Sequence, residues 1–380
     1  MSLYRWVMLS FSFTIAFLLH LLLFSTAPMV TAIMGEMSLS HTDFGFIFSA
    51  AMLSLILFRI PWGLIGDRIG YVNALRVALP ISAASALLRA LSPSYMALLA
   101  SQFFLGLGLA VVLPCLPLIV REWSPRSLGF STGFYISGFA AGNATGLGLT
   151  PYLLEVMGWR SVLLIYSWIA VAVSGLWWSL ARGSMRDTAV RRPTNLLQIL
   201  KGSYVWVLLL FVIASMGSYD TLATWMPKVL EMKGLNIATA SFLPLGFFLA
   251  GPLMGSVLDK FQNRRMIVAV LGAVAAASIF GIAYASLPLL LQCIFLSGFT
   301  SVGVLTISLT LPAENTALSS ALGSVVGFIS SLGNVGPLVM PVVFGLLIDM
   351  TGAYQLSLLS VALLAGITFV LGAKNRGLWR

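Results

Sequence analysis

The stretch of sequence that decides the fold runs from residue 51 to residue 70 and reads AMLSLILFRIPWGLIGDRIG. Residues 51–65 form an apolar run with one charged residue, Arg59, and the stretch ends in the polar turn Gly66-Asp67-Arg68-Ile69-Gly70. A helix that crosses a lipid bilayer needs roughly 20 predominantly apolar residues. The stretch therefore predicts a membrane-spanning helix that ends at a short polar loop.

The same alternation of apolar runs and short polar breaks extends over all 380 residues, of which 59% are hydrophobic and 8% are charged. A soluble domain has about 25% charged residues, so this chain cannot cover a water-facing surface or stay disordered. The two cysteines, Cys115 and Cys293, lie in apolar runs and cannot form a disulfide framework. We expect an all-α integral membrane protein with twelve spans, predicted at 6–34, 43–65, 72–91, 94–120, 127–153, 160–181, 204–230, 237–258, 265–286, 288–312, 317–348 and 353–373.

The formal charge of +10 does not indicate a nucleic-acid partner, because the Lys and Arg residues lie singly or in pairs between apolar runs. Their distribution over the loops instead predicts the orientation in the membrane. With both termini in the cytoplasm, 16 of the 21 basic residues lie on the cytoplasmic side, and Arg59 lies inside the second span. The opposite side holds only Arg89, Arg160, Lys228 and Lys233. We therefore expect a multi-pass protein of the cell membrane with both termini in the cytoplasm.

The two halves of the chain repeat each other. The loop Gly63-Leu-Ile-Gly-Asp67-Arg68 recurs as Gly255-Ser-Val-Leu-Asp259-Lys260, 192 positions later. The pair Gly142-Asn143 of the fifth span recurs as Gly333-Asn334 in the eleventh span, 191 positions later. Parallel repeats of six spans are typical of transporters that bind their substrate between the two halves.

The longest polar stretch lies near the middle of the chain, between the sixth and seventh predicted spans. It predicts a cytoplasmic linker at residues 182–203. The linker would join an N-terminal six-helix bundle at 1–181 to a C-terminal six-helix bundle at 204–380.

The repeated loop resembles the signature of the major facilitator superfamily, and the resemblance covers essentially the whole chain. The family pattern after the second helix is Gly-x-x-x-Asp-Arg-x-Gly followed by basic residues. This chain matches it except for Tyr71 and Val72, where a basic pair is usual. The resemblance implies the major facilitator fold, alternating access, a monomer in the lipid bilayer and no cofactor. It also implies that the loop gates the cytoplasmic side through Gly63, Asp67, Arg68 and Gly70, and through Asp259 and Lys260 in the second copy.

Within the superfamily, the chain is similar to the anion porters for nitrate, nitrite and cyanate. The similarity lies in Arg59-Ile-Pro61 and in the Gly- and Asn-rich stretches 138–146 and 327–336. Nitrate porters carry a second arginine in the eighth helix, where residues 247–252 of this chain have no basic residue. The resemblance implies a secondary transporter of a small anion whose substrate is held differently, coupled to protons or to a counter-anion. No ATP-binding Gly-x-x-x-x-Gly-Lys-Ser/Thr loop occurs, so the energy must come from gradients.

Arg59 is the first candidate for substrate binding. An arginine in the middle of a spanning helix costs about 2.5–3.5 kcal/mol on insertion scales. It precedes Asp67 by eight residues, which is about 12 Å along a helix and places it near the midplane. There its guanidinium could bind an anion through a fork of donors. The alternative is a structural pair with Asp220 or with backbone carbonyls.

Asp220 and His20 are the candidates for proton coupling. Asp220 is a carboxylate inside the seventh span, where burial favours the protonated form. His20 lies in the middle of the first span, and histidine titrates near neutral pH. The alternatives are a solvated Asp220 near the outer mouth and a His20 that is hydrogen-bonded within the bundle.

Four further residues are candidates for the walls of the anion path: Asn143, Asn334, Tyr135 and Trp225. For the two asparagines, the alternative is tight helix packing among small residues. For Trp225 the alternative is anchoring at the membrane interface. No cluster of His, Cys and carboxylate residues has the spacing of a metal site, so no metal is expected.

The main competing function is the export of apolar or drug-like compounds. Proton-driven drug exporters of the superfamily usually have Arg where Gln102 stands, and Arg59 would repel cationic substrates. A membrane enzyme would need a convergent set of nucleophile, base or metal ligands. The two histidines and two apolar cysteines do not supply such a set, so we expect a transporter that is not an enzyme.

Overall fold

The computed structural model describes residues 4–124, 127–182, 203–261, 263–314 and 322–374. These residues form fifteen α-helices and two short 3-10 helices, and they contain no strand. The helices are α1 (Tyr4–Phe24), α2 (Val30–Met37), α3 (His41–Ile69), α4 (Tyr71–Ala90), α5 (Tyr95–Leu109), α6 (Val112–Trp123), α7 (Leu128–Gly148), α8 (Thr150–Leu180), α9 (Ser203–Met232), α10 (Phe242–Lys260), α11 (Arg264–Tyr284), α12 (Leu289–Glu314), α13 (Leu322–Leu332), α14 (Val335–Thr351) and α15 (Gln355–Lys374). The 3-10 helices are Ala27–Met29 and Ile237–Ser241.

The expected all-α membrane class is confirmed. Ten helical segments of the described chain are long and apolar enough to cross a membrane. They correspond to ten of the twelve predicted spans. The other two, the fifth and the eighth, correspond to α7, with 21 residues, and α10, with 19 residues, and a shorter apolar helix is found at Ile237–Gly251.

Three spans that the sequence presented as continuous are interrupted. The first span consists of α1 and α2, which are separated by the turn at Ser25–Thr26 and a 3-10 helix. The fourth span consists of α5 and α6, with a break at Ala110–Val111. The eleventh span consists of α13 and α14, with a break at Gly333–Asn334. Each interruption leaves helix-end carbonyls that need partners other than the next helical turn.

One interruption occurs where the sequence predicted it. The helical segment Thr150–Leu180 contains Gly158, whose φ angle is 74°. Glycine adopts positive φ values at little cost because it has no Cβ atom. Gly158 therefore separates the end of the fifth span from the sixth span, which begins at Trp159.

The chain divides into two compact units. The first comprises Met1–Thr188 together with Met226–Ser241, and the second comprises Ala189–Trp225 together with Phe242–Arg380. The segment Met226–Ser241 joins the first unit because Ile237–Ser241 packs against α7. Sequence reasoning had assigned this segment to the C-terminal bundle.

The described helices pack in the same pairs in both units. In the first unit, α3 contacts α5, and α4 contacts α5 and α8. In the second unit, α10 contacts α12, and α11 contacts α12 and α15. These are the equivalent spans of the two halves, so the repeat seen in the sequence is also a repeat in packing.

Two glycines at equivalent positions make close backbone contacts possible in two of these helix pairs. A Cβ atom added to Gly106 in α5 would lie 2.9 Å from the Ala51 Cα atom in α3. A Cβ atom added to Gly298 in α12 would lie 3.0 Å from the carbonyl carbon of Leu243 in α10. Both members of the second pair follow those of the first by 192 positions. The two helix pairs therefore meet backbone to backbone at the same point of the repeat.

We expect Gly106→Ala to destabilise the protein by about 1–3 kcal/mol, because the new methyl group overpacks the contact with Ala51. The measurement is the melting temperature of the purified variant. Gly175→Ala in α8 is the matched control, because a Cβ atom added there meets nothing within 4 Å. Equal melting temperatures for Gly106→Ala and wild type would contradict this close contact.

Candidate functional site

Arg59 lies in α3, and its side chain is half-buried. It precedes the end of the helix at Ile69 by ten residues, which corresponds to about 15 Å along the axis. Pro61 follows inside the same helix. Proline has no amide hydrogen, so the Leu57 carbonyl receives no helical hydrogen bond from position 61. The middle of this otherwise apolar span thus holds a guanidinium group and a backbone carbonyl that receives no helical hydrogen bond.

The predicted gate residues of the first half occupy the end of α3. Gly63, Asp67 and Arg68 lie in its last turns, and the side chains of Asp67 and Arg68 are exposed. Gly70, with a φ angle of 88°, connects α3 to α4. The hydroxyl of Tyr71 donates a 2.6 Å hydrogen bond to Asp67 Oδ1. Tyr71, which replaces a basic residue of the family pattern, therefore contacts the acidic residue of the predicted gate.

The second copy of the loop lies at the end of α10. Lys260 is the last residue of this helix, and its side chain is exposed. Asp259 precedes it in the helix, and its side chain lies outside the described residues.

The structure brings two of the predicted residues of the first unit together. His20 in α1 lies 4.9 Å from the ring of Phe139 in α7, and Tyr135 lies 6.2 Å from the same ring, measured between ring centroids. On the other side, His20 contacts Phe24, with ring centroids 5.4 Å apart. Tyr135 is buried and His20 is half-buried. His20 and Tyr135 thus belong to one aromatic cluster at the contact between α1 and α7.

The two predicted asparagines are buried. Asn143 in α7 follows Gly142, whose Cα lies against the backbone of Phe17 in α1. Asn334 lies at the break between α13 and α14, and its side-chain nitrogen donates to the carbonyls of Ser330 at 2.8 Å and Ser331 at 3.1 Å. The Asn334 side-chain amide therefore donates hydrogen bonds to backbone carbonyls at the end of α13. The sequence did not indicate this structural role.

In the second unit, Asp220 and Trp225 both lie on α9. Trp225 is fully buried, donates from Nε1 to the Pro341 carbonyl at 2.9 Å, and stacks on Phe344 with a centroid distance of 5.5 Å. Burial inside the unit excludes the alternative of an interfacial anchor. Asp220 is half-buried, and its carbonyl accepts a 2.8 Å hydrogen bond from Thr224 Oγ1. Arg59 belongs to the first unit and Asp220 to the second.

Sequence reasoning missed Arg89, which it counted among the loop residues of one membrane side. The side chain is fully buried in the last turn of α4. Its Nη1 atom donates to the Leu22 carbonyl at 2.6 Å and lies 3.4 Å from Gln102 Oε1. No local pattern could reveal this, because the partners come from α1 and α5.

A second missed cluster ties three segments of the first unit together. Arg160 forms an ion pair with Glu36 at 2.8 Å and donates to the carbonyls of Ala90 at 3.1 Å and Ser92 at 2.9 Å. Trp159 donates to Glu36 at 2.6 Å, and the Arg160 guanidinium lies 4.2 Å from a Trp159 ring centroid. The cluster holds the end of α2, the end of α4 and the start of the sixth span in fixed positions.

The end of α9 carries a third polar cluster, which also lies in the first unit. Lys228 Nζ donates to Thr31 Oγ1 at 2.8 Å and pairs with Glu231 at 3.2 Å. Thr31 also donates to Glu231. These contacts join the end of α9 to the start of α2. In the part of the chain that the structure describes, no group of three His, Cys, Asp or Glu residues could hold a metal ion.

Comparison with known proteins agrees with this architecture. The chain is 22% identical over 375 residues to the nitrite extrusion protein of Bacillus subtilis (strain 168), covering 95% of this chain and 91% of that protein. It is 23% identical over 374 residues to the 2-nitroimidazole transporter of Escherichia coli (strain K12), covering 97% and 95%. Among solved structures, a bacterial homologue of the human lysosomal transporter Spinster aligns with a TM-score of 0.77 and 17% identity, over 100% of this chain and 97% of that one.

The family assignment follows from a match to most of the chain. The sequence pattern of the Major Facilitator Superfamily matches residues 12–248 and 234–376. The expected resemblance, the twelve-span fold and the expectation of a transporter that is not an enzyme are confirmed by this match. The chain is a membrane transporter of the Major Facilitator Superfamily.

Proposed function

We propose that the protein is a secondary active transporter that moves a small anion across the cell membrane by alternating access. The observation that carries the proposal is Arg59, a half-buried guanidinium ten residues inside a spanning helix. Placing a charged side chain at this depth in the membrane costs free energy, and charged residues are retained there mainly where they face a cavity or a partner. A planar guanidinium offers paired donors that match the geometry of an oxyanion.

The name of one relative supports the anionic substrate. The nitrite extrusion protein of Bacillus subtilis is similar to this chain over almost its whole length. We further propose a monomer with both termini in the cytoplasm, because most basic residues of the loops then lie on the cytoplasmic side. Asn143, Tyr135, Asn334 and Trp225 are proposed to shape the anion path, with Asp220 or His20 as the coupling group.

A second candidate function is the export of apolar or drug-like compounds. Two observations favour it: the similarity to a protein named 2-nitroimidazole transporter, and the absence of a basic residue from 247–252 in the eighth span. The nitro group of such a compound has two oxygens on one nitrogen, as nitrite does. The role of Arg59 separates the two candidates, because only an anion requires the charge.

We expect Arg59→Lys to weaken anion binding and Arg59→Gln nearly to abolish it, because lysine keeps the charge and loses the planar fork. The measurement is binding of nitrite, nitrate and small carboxylates to the purified variants, together with their melting temperatures. Arg121→Gln is the matched control, because Arg121 is exposed at the end of α6.

A structural Arg59 would give a different result. Loss of a buried partner then lowers stability by about 3–5 kcal/mol, and the loss of binding follows the loss of folded protein. If Arg59→Gln melts like wild type and binds the transported substrate with unchanged affinity, the anion site is wrong and the export of apolar compounds becomes the better account.

We expect Asp220→Asn to abolish the dependence of uptake on an inward proton gradient while exchange of substrate continues. A carboxylate that binds and releases the coupling proton cannot be replaced by an amide, which does not titrate in this range. The measurement is uptake into liposomes with and without a pH gradient. Glu155→Gln, which removes an exposed carboxylate from α8, serves as the control. Equal pH dependence in Asp220→Asn and wild type would move the coupling role to His20.

We expect Asp67→Asn to reduce transport sharply while substrate affinity stays within severalfold of wild type, because a gate residue controls opening and not binding. Tyr71→Phe is informative beside it, since this variant removes the hydrogen bond to Asp67 and keeps the carboxylate. Transport rates in liposomes and binding to the purified protein are compared for both. A wild-type transport rate for Asp67→Asn would show that the acidic residue is not part of the gate.

A further inference from the structure

A groove lies between α11 and α15 on the surface of the second unit, and both helices are long and apolar enough to cross a membrane. Its volume is about 500 Å³. Apolar residues line it, among them Ala276 and Phe280 of α11 and Ala362, Gly366, Val370 and Leu371 of α15. A Cβ atom added to Gly366 meets only one atom of another helix within 4 Å, the Ala276 Cβ at 3.9 Å. The structure therefore has room for an apolar ligand on this side of the helix pair.

The groove has the length of one leaflet of a bilayer. It extends along α15 from Ala362 to Leu371, which is about 14 Å along the helix axis. The hydrocarbon core of a bilayer is about 30 Å thick, so one leaflet contributes about 15 Å. Ala362 lies near the middle of α15, and Leu371 lies in its last turn. The groove thus runs from the middle of the membrane towards one face, as an acyl chain of that leaflet does.

A lysine continues the groove beyond its last apolar residue. Lys374 follows Val370 by four residues and Ile367 by seven, and both of these residues line the groove. Residues at these spacings share one face of a helix. Lys374 therefore lies on the groove face of α15, and its side chain is exposed at the end of the helix.

The second cation at this end comes from α11. Arg265 is the second residue of α11, and its Nε atom donates to the Gly372 carbonyl at 3.2 Å. Its Nη2 atom donates to the Ala373 carbonyl. These two hydrogen bonds hold the guanidinium at the last turn of α15, next to Lys374. The Arg265 side chain is half-buried there.

The charges of the two helices have one sign and one location. All of them are basic and lie at this end of the pair: Arg264, Arg265 and Lys374. Neither helix contains Asp or Glu. Basic pockets between membrane-spanning helices bind anionic lipid headgroups. A zwitterionic headgroup also carries an ammonium group, which these cations repel and for which neither helix offers a carboxylate.

We propose that the groove and its two cations form a binding site for one phospholipid with an anionic headgroup. One acyl chain lies in the groove, and the phosphate contacts Arg265 and Lys374. The apolar lining favours the chain of any phospholipid, and the cations select the anionic headgroup. In the proposed orientation this lipid belongs to the cytoplasmic leaflet. The site itself does not depend on that orientation or on Arg59, so it goes beyond the proposed function.

A second copy of the chain is the less favoured occupant. Helices approach closely in membranes where small residues lie at the surface. In this groove Ala362 is buried, and the exposed side chains are large ones such as Phe280 and Leu363. In a two-fold dimer with both copies in the same orientation, the same basic ends would also face each other.

The experiment measures lipid binding to the full-length protein, purified in detergent, by native mass spectrometry. The protein is mixed with equal amounts of phosphatidylglycerol and phosphatidylcholine that carry the same acyl chains. We expect the first bound lipid to be phosphatidylglycerol with a several-fold preference. Lys374→Gln should lower this preference several-fold, because it removes a cation and leaves the hydrogen bonds of Arg265 intact. Gly366→Leu should lower the binding of phosphatidylglycerol several-fold, because the new side chain fills the groove.

Each variant has a matched control. Arg121→Gln removes an exposed cation from the end of α6 and should keep the wild-type preference. Gly175→Leu introduces the same side chain at an exposed position of α8, where an added Cβ atom meets nothing within 4 Å, and it should bind phosphatidylglycerol like wild type. Val370→Phe, at a more exposed position of the groove, replaces Gly366→Leu if that variant does not fold.

Three results would overturn the proposal. Equal binding of the two lipids to wild type, or an equal loss of preference in Lys374→Gln and Arg121→Gln, would mean that these cations select no headgroup. Wild-type binding of phosphatidylglycerol to the folded groove-filling variant would place the lipid elsewhere. A dimer that forms in wild type and is absent from Gly366→Leu would assign the groove to a second copy.

Discussion

The structure depends on one constraint: inside a bilayer, every backbone amide and carbonyl must find a partner within the protein. Regular helices meet it by themselves, and the described chain is helical accordingly. The places that do not meet it are helix ends inside the bundle, and there side chains take over. Arg89 binds the carbonyl end of α1, Arg160 binds that of α4, and Asn334 binds that of α13. Three polar side chains thus bind backbone carbonyls at places where helices stop.

A second constraint acts on how the helices pack: in lipid there is no hydrophobic driving force between them. Association then relies on close packing, which small residues permit. Gly106 and Gly298 bring the backbones of equivalent helices together in both units. The repeat in the sequence is therefore found in the helix–helix contacts as well as in the loops. The superfamily fold contains two copies of the same helix packing.

Much of this architecture could be predicted from the sequence because its signals are local. A run of about twenty apolar residues, a polar turn and a glycine such as Gly158 can each be recognised from neighbouring residues in the sequence. The interruptions of the first, fourth and eleventh spans were not predicted, because each break is short and an apolar run resumes directly after it. The burial of Arg89 was not predicted either, because its partners, Leu22 and Gln102, come from other helices. Asn334 and Trp225 were chosen as unusual polar or aromatic positions, and their described hydrogen bonds satisfy carbonyls within the second unit.

The backbone contacts at Gly106 and Gly298 have a mechanical consequence. Where two helices touch without side chains between them, there is no rotamer that could rearrange to let one slide past the other. The pairs α3 and α5, and α10 and α12, are therefore stiff elements. By the same argument, we expect each unit to bend more readily at its broken helices, around Ser25–Thr26, Ala110–Val111 and Gly333–Asn334.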